Sequence, residues 1–160
     1  MMPQTTIQPA GESVSAGGLR LELNRQIANC VVLFMKLHNY HWFVKGHHFF
    51  TLHAKFEELY NEVQQHLDAL AERLLTIGET PVADLRGCLE LSTVREASGG
   101  ETPEDMARTT AKDLRAVSAE LKRAIEIAQR QGDEATADLL LGMVSSYEKH
   151  AWMLEAYVQK

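Results

Sequence analysis

Four side chains in one stretch of this chain, His53, Glu57, Asp68 and Glu72, are of the types that bind divalent transition metals, and their spacing aligns them. The steps are four, eleven and four residues, so at about 100° per residue all four fall within a helical sector of roughly 100°. Eleven residues rise roughly 16 Å, whereas metal bonds to N and O ligands are about 2.0–2.2 Å, so Glu57 and Asp68 of one helix cannot share an ion. The pattern is palindromic: the midpoints of 53/72 and of 57/68 both fall between Glu62 and Val63. An antiparallel copy related by a two-fold axis there would set His53 opposite the partner's Glu72, and Glu57 opposite the partner's Asp68. That predicts a metal site built across a dimer interface and present twice per dimer. The competing reading is a solvated charged face, the usual state of such residues. Against it, the candidates border the apolar stripe Leu52, Phe56, Leu59, Val63, Leu67, Leu70, Leu74, Ile77, where a second subunit could cover them.

These residues need a long helix, and the chain supplies four. The first runs from Leu19 to about Lys45 with Leu23, Ile27, Val31, Phe34, Leu37 or His38, and His41 on its apolar side, and ends at Gly46. The second runs from a cap at Thr51 to Gly78 and the turn Glu79-Thr80-Pro81. From Pro81 to Thr102 the connection is too long for a simple turn; an apolar segment at Val82–Leu91 predicts a short helix within it, before the break at Gly99-Gly100. Thr102-Pro103-Glu104-Asp105 starts the third helix as cap, first-turn proline and first-turn acids, with Met106, Leu114, Val117, Leu121, Ile125 and Ala128 inward. After Gly132, Asp133 caps the last, whose stripe is Leu140, Met143, Tyr147, Ala151, Leu154 and Val158. With no strand-like run, the expectation is all-α: an up-down-down-up four-helix bundle with one crossover, the ferritin-like arrangement.

Bundles of that class usually hold iron within one chain through Glu-x-x-His motifs. None of the seven histidines here has Glu three residues before it, which favours the inter-chain site. His41, late in the first helix and on its apolar side, becomes a natural extra ligand, with a satisfied core histidine as the alternative.

Composition bounds the rest. At 160 residues and 45% apolar the chain makes one domain with a real core, and its net charge of −6 argues against a general electrostatic footprint for nucleic acid. Met1 to Gly18 is polar, with two prolines, three glycines and no apolar core segment. It is expected to be a disordered tail (1–18) ahead of the folded domain (19–160), neither signal peptide nor membrane span, on a cytoplasmic protein. Cys30 and Cys88 form no CxxC pattern and are expected to be reduced structural thiols.

The run Lys36-Leu37-His38-Asn39-Tyr40-His41-Trp42-Phe43-Val44-Lys45-Gly46, followed by Phe49 to Tyr60 and by Asp68-Ala69-Leu70-Ala71-Glu72-Arg73, resembles the Dps family of miniferritins. So do Thr136 to Leu140 and Trp152 to Ala156. The resemblance implies a dodecameric hollow shell of four-helix subunits that oxidises Fe(II), preferentially with hydrogen peroxide and also with dioxygen, and stores ferric mineral. It implies a di-iron ferroxidase site of His41, His53 and Glu57 with the partner's Asp68 and Glu72, zinc being an alternative resting occupant. Imidazole and carboxylate ligands hold Fe(II) without thiolates and remain competent after oxidation to Fe(III). Glu57 stands where many members carry Asp. Trp42 is implied as a redox-active neighbour, or else a packed interface aromatic. Asp133 and Asp138 resemble the acidic lining of an iron uptake pore, with helix capping the other role for Asp133. Glu58 and Glu62 are weaker candidates for mineral nucleation beside their reading as ordinary solvated acids. Some members condense DNA through basic tails. Here no Lys or Arg precedes Arg20, which argues against direct DNA binding and leaves nucleoid association as a lesser variant of a cytoplasmic location.

Overall fold

The computed structural model describes residues 14–159, all helical outside their turns and connections. Helix α1 spans Val14–Phe43, α2 Phe49–Thr76, α3 Leu85–Leu91, α4 Pro103–Arg130 and α5 Glu134–Val158. Residues 1–13 of the expected tail lie outside the described residues. The first helix begins at Val14, ahead of the expected Leu19, and at Gly18 it passes beside Ile127 of α4, 3.9 Å from where a Cβ would stand.

Side-chain contacts fix the topology. Short turns make α1–α2 and α4–α5 antiparallel hairpins. Arg73, late in α2, bonds Asp133 and Thr136 at the start of α5, so α2 and α5 are antiparallel as well. Lys36 near the end of α1 meets Asp113 of α4 at 2.6 Å, while Gln26, nearer its start, meets Glu120, so α1 and α4 are antiparallel too. The result is the expected up-down-down-up bundle. The crossover carries α3 and is tied down by the buried carboxylate of Glu120, which accepts from Gln26 Nε2 at 2.8 Å, Asn29 Nδ2 at 2.9 Å and Thr93 Oγ1 at 2.7 Å. Those donors meet the full requirement of a charge taken out of water.

The inward residues expected of α4 are all buried, as are those of α5 save Val158, which is partly covered. Two expectations need correction. Thr51 does not cap α2: the helix starts at Phe49, preceded by His48 without a side-chain cap, because Gly46 at φ +90° turns the chain early enough for the helix to begin there. On α1 the core takes Val32, Leu33 and Leu37, leaving Val31, Phe34 and His38 partly exposed. Val31 to Phe34 is apolar on every side, so periodicity could not fix which side faces inward. Leu67 and Ile77 of α2 are likewise only partly buried. The caps of α4 and α5 are as expected: Thr102 and Asp105 form a reciprocal capping box, and Asp133 accepts from the Thr136 backbone. Among the described residues no helix is long and apolar enough to cross a membrane.

Candidate metal centre

The turn between α1 and α2 sets His41 and His53 six residues either side of His47, so the hairpin brings them face to face. Their rings stack with centroids 3.6 Å apart and planes 14° from parallel. Each Nδ1 lies 2.7 Å from the backbone carbonyl of the other residue. A carbonyl only accepts, so both Nδ1 atoms donate, which leaves both Nε2 atoms as the nitrogens available to a metal. Reciprocal bonding of this kind fixes ring orientation, as the outer shell of a metal-binding histidine does. Phe49 continues the stack over His53, with centroids 4.8 Å apart, and Tyr60 stands at right angles to His41 at 5.3 Å.

Glu57, one turn beyond His53, is exposed, as are Asp68 and Glu72. The first faces Tyr60, whose phenol pKa is raised by burial, by the Glu57 charge and by a hydrogen bond to it. Among the described residues no group of three or more His, Cys, Asp or Glu in this single chain is arranged to hold a metal. An open groove along α2 is lined by Asn61, Gln64, Gln65, Leu67, Asp68 and Ala71. Asn61 and Gln64 are symmetric about the same midpoint between Glu62 and Val63 as the four acidic and imidazole residues. Uncharged amides thus occupy the place where two copies of α2 would cross, with the charged residues on either side.

Residues 21–160 match the ferritin family, described as a ferritin-like domain. The chain is 54% identical over 138 residues to DNA protection during starvation protein 2 of Bacillus anthracis, covering 86% of this chain and 94% of that one. Among solved structures, Dps from Staphylococcus aureus superposes with a TM-score of 0.88 at 47% identity, over 90% of this chain and 97% of that chain. The Listeria innocua Dps structure soaked with zinc has a TM-score of 0.84 at 38% identity, over 88% of this chain and 95% of that one. The chain belongs to the Dps family of ferritin-like proteins.

In this Dps chain the remaining candidates occupy different settings. Trp42 is 58% exposed, its ring 5.2 Å from that of His38. Glu58 is exposed and pairs with Lys55 at 3.0 Å. Glu62 turns toward α5, where it accepts from Ser146 and from His150 Nε2, the latter at 2.6 Å, with His66 Nε2 at 3.6 Å. Burial would raise its pKa, but the bonds from His150 and Ser146 and the charges of His150 and His66 outweigh it and hold the carboxyl at about 2. Lys55 Nζ lies 2.9 Å from His150 Nδ1, on the side of the ring away from Glu62. Glu62 therefore closes the α2–α5 seam, a setting quite unlike that of exposed Glu58. Asp133 accepts from Thr136 and from Arg73 Nη2 at 2.8 Å; despite partial burial these contacts lower its pKa. Asp138 is exposed. Both cysteines are free and buried, and burial raises the Cys30 thiol to about 12, so it is no metal thiolate.

Sequence reasoning passed over Tyr60, although its position three residues after Glu57 places it beside that carboxylate. It also passed over the Lys55–His150–Glu62 chain, whose members are too far apart in sequence to announce one another.

Proposed function

We propose that this chain assembles into a dodecameric shell that oxidises Fe(II), preferentially with hydrogen peroxide, and retains the ferric product as mineral. His41, His53 and Glu57 of one subunit bind the iron with the partner's Asp68 and Glu72. The observation that carries this reading is the reciprocal His41–His53 lock, which presents two Nε2 donors beside a helix whose exposed carboxylates are too far apart to serve one ion alone. Iron is substrate here, and the donor set fits it: borderline nitrogen and hard oxygen ligands accept both oxidation states. Each pair of Fe(II) ions gives up two electrons to one peroxide, splitting its O–O bond to the level of water, so no hydroxyl radical is released. Trp42, one residue from His41, is placed to absorb stray oxidising equivalents. Asp138, with Asp133, lines the uptake route, and Glu58 offers the more accessible carboxylate for mineral growth, Glu62 the more constrained one. The work is done in the cytoplasm, and zinc competes for the same ligands.

Mixed assemblies test the shared site. In a heterodimer of a His53→Ala subunit and an Asp68→Ala subunit, one site keeps all its ligands and the other loses two. Peroxide-driven Fe(II) oxidation, followed by ultraviolet absorbance, is expected to recover to about half the normal rate per dimer, from near zero in either homodimer. Verified heterodimers with no recovery would rule out a site shared in this way.

A further inference from the structure

Helix α2 carries two stripes of the same period on opposite sides. Its buried residues Leu52, Phe56, Leu59, Val63, Leu70 and Leu74 face the bundle. About 200° round the helix, two positions before all but the last of these, runs a second stripe that the single chain leaves largely open to solvent. Its ends are Phe50 and Leu75, 86% and 61% exposed. Ala54 and Ala71 come next inward, then Glu57 and Asp68, and Asn61 and Gln64 stand at the centre. The steps alternate between four and three residues, the period of a seam between two helices. Each of these pairs is also symmetric about the point between Glu62 and Val63, so in an antiparallel two-fold pairing every member meets its counterpart on the other copy. The chemistry of the pairs suits that contact: large apolar groups close the ends, and alanines let the backbones approach. Facing carboxylates repel unless a cation lies between them, and that is where the ligand set falls. Asn61, Gln64, Asp68 and Ala71 line the open groove along α2, so nothing in the chain itself covers them.

We propose that this stripe is an antiparallel seam between two copies of the chain, and that Asn61 and Gln64 at its centre are positioning residues that set the register of the inter-subunit metal site. This role rests on the metal-site reading above. An amide both donates and accepts, so Asn61 bonds the partner's Gln64 and Gln64 bonds the partner's Asn61, in two equivalent contacts. Apolar and small residues tolerate sliding, whereas a covered polar pair does not, because a shifted seam breaks it. A slip of one heptad in one direction sets Asn61 against the partner's Ala71 and carries His53 past the end of the partner's helix. In the other direction Asn61 meets the partner's Glu57, and His53 the partner's Gln65. Neither slip leaves a metal ligand facing His53.

Double variants of the full chain test this, with sedimentation velocity reading assembly and the visible absorption of Co(II) reading the site; Asp68→Ala/Glu72→Ala defines the background. In Asn61→Asp/Gln64→Glu each facing pair becomes two carboxylates, and the assembly is expected to break into smaller species. In Asn61→Asp/Gln64→Lys each new carboxylate faces the partner's new ammonium, and assembly should return; in a parallel pairing like would face like, and it would not. Asn61→Leu/Gln64→Leu keeps a seam but removes what aligns it. Assembly is then expected to persist while Co(II) affinity falls about tenfold, the factor that follows if roughly one dimer in ten keeps the aligned register. A merely structural pair would lose or keep assembly and affinity together. Full assembly of the like-charge variant, no recovery in the opposite-charge variant, or wild-type Co(II) affinity in the leucine variant would each overturn the role while leaving the metal site standing. A wild-type protein with no Co(II) band above background would overturn the metal-site reading and the register role with it.

Discussion

At the scale of single residues, two carboxylates of α2 only five positions apart, Glu57 and Glu62, have opposite surroundings. Glu57 is exposed and uncommitted within the chain apart from Tyr60, which is what a ligand awaiting a partner subunit requires. Glu62 is drawn into the α2–α5 seam by Ser146 and His150 and titrates at about 2 in place of 4.5. Its folded pKa is depressed, so its contribution to stability is fully present above the unfolded value and disappears as pH falls from about 4.5 to about 2. His66 acts in the same direction: burial lowers its folded pKa below 6.5, so the unfolded chain takes up that proton first as pH drops, and stability falls. Glu62→Gln is expected to lower stability at pH 7 by roughly 1–2 kcal/mol, less than the full linkage value because the His66 charge that helps depress the carboxyl is absent at that pH, and to flatten the loss of stability below pH 4.5. Denaturant unfolding at a series of pH values measures both. Parallel stability profiles for the two proteins would show that the seam contributes nothing through this charge.

At the scale of elements, α2 was legible because its evidence is local. The spacing of His53, Glu57, Asp68 and Glu72 needs only the helical period, and the same holds for the capping box at Thr102 and Asp105. The turn that brings His41 onto His53 was legible as a break at Gly46, but the exchange of carbonyl bonds across it depends on how close the two backbones pass. The phase of α1 was hidden by the apolar run Val31 to Phe34, and the Lys55–His150–Glu62 chain by a separation of 95 positions between its first two members. The start of α5 separates two acids that the sequence could only pair. Asp133 caps the helix and bonds Arg73 at 2.8 Å, whereas Asp138 is exposed. Asp138→Asn is therefore expected to slow iron uptake at low ionic strength without changing stability. Asp133→Ala is expected to destabilise the fold by roughly 1–2 kcal/mol through the lost cap and ion pair, whatever it does to uptake. Stopped-flow uptake at two salt concentrations, set beside thermal unfolding, separates the two effects; an uptake rate for Asp138→Asn equal to wild type at every salt concentration would remove it from the route.

At the scale of the whole molecule, an exposed apolar surface on a helical monomer needs an explanation. Trp42, Phe43, Phe50, Leu85, Leu89 and Trp152 are all more than half exposed in the isolated chain, more than a bundle that stays monomeric would leave uncovered. In the proposed shell, burial between subunits would account for them. With a net charge of −6 per chain and no Lys or Arg before Arg20, the proposed shell is expected to repel phosphate over the Debye length of about 8 Å at physiological salt. On the proposed function, protection of DNA would be chemical: peroxide and Fe(II) would be consumed together at the shared sites before they could react in solution. Plasmid exposed to Fe(II) and peroxide is expected to stay supercoiled with the wild-type protein and to be nicked with the Asp68→Ala/Glu72→Ala variant. Without iron, the same plasmid should migrate unshifted beside either protein at about 0.15 M salt and neutral pH. A firm shift under those conditions would mean that assembly gathers the scattered Lys and Arg into a basic patch strong enough to overcome the net charge, and protection would then include physical shielding. Loss of protection in the variant with no shift in either protein is the outcome expected of a shell that guards DNA from a distance.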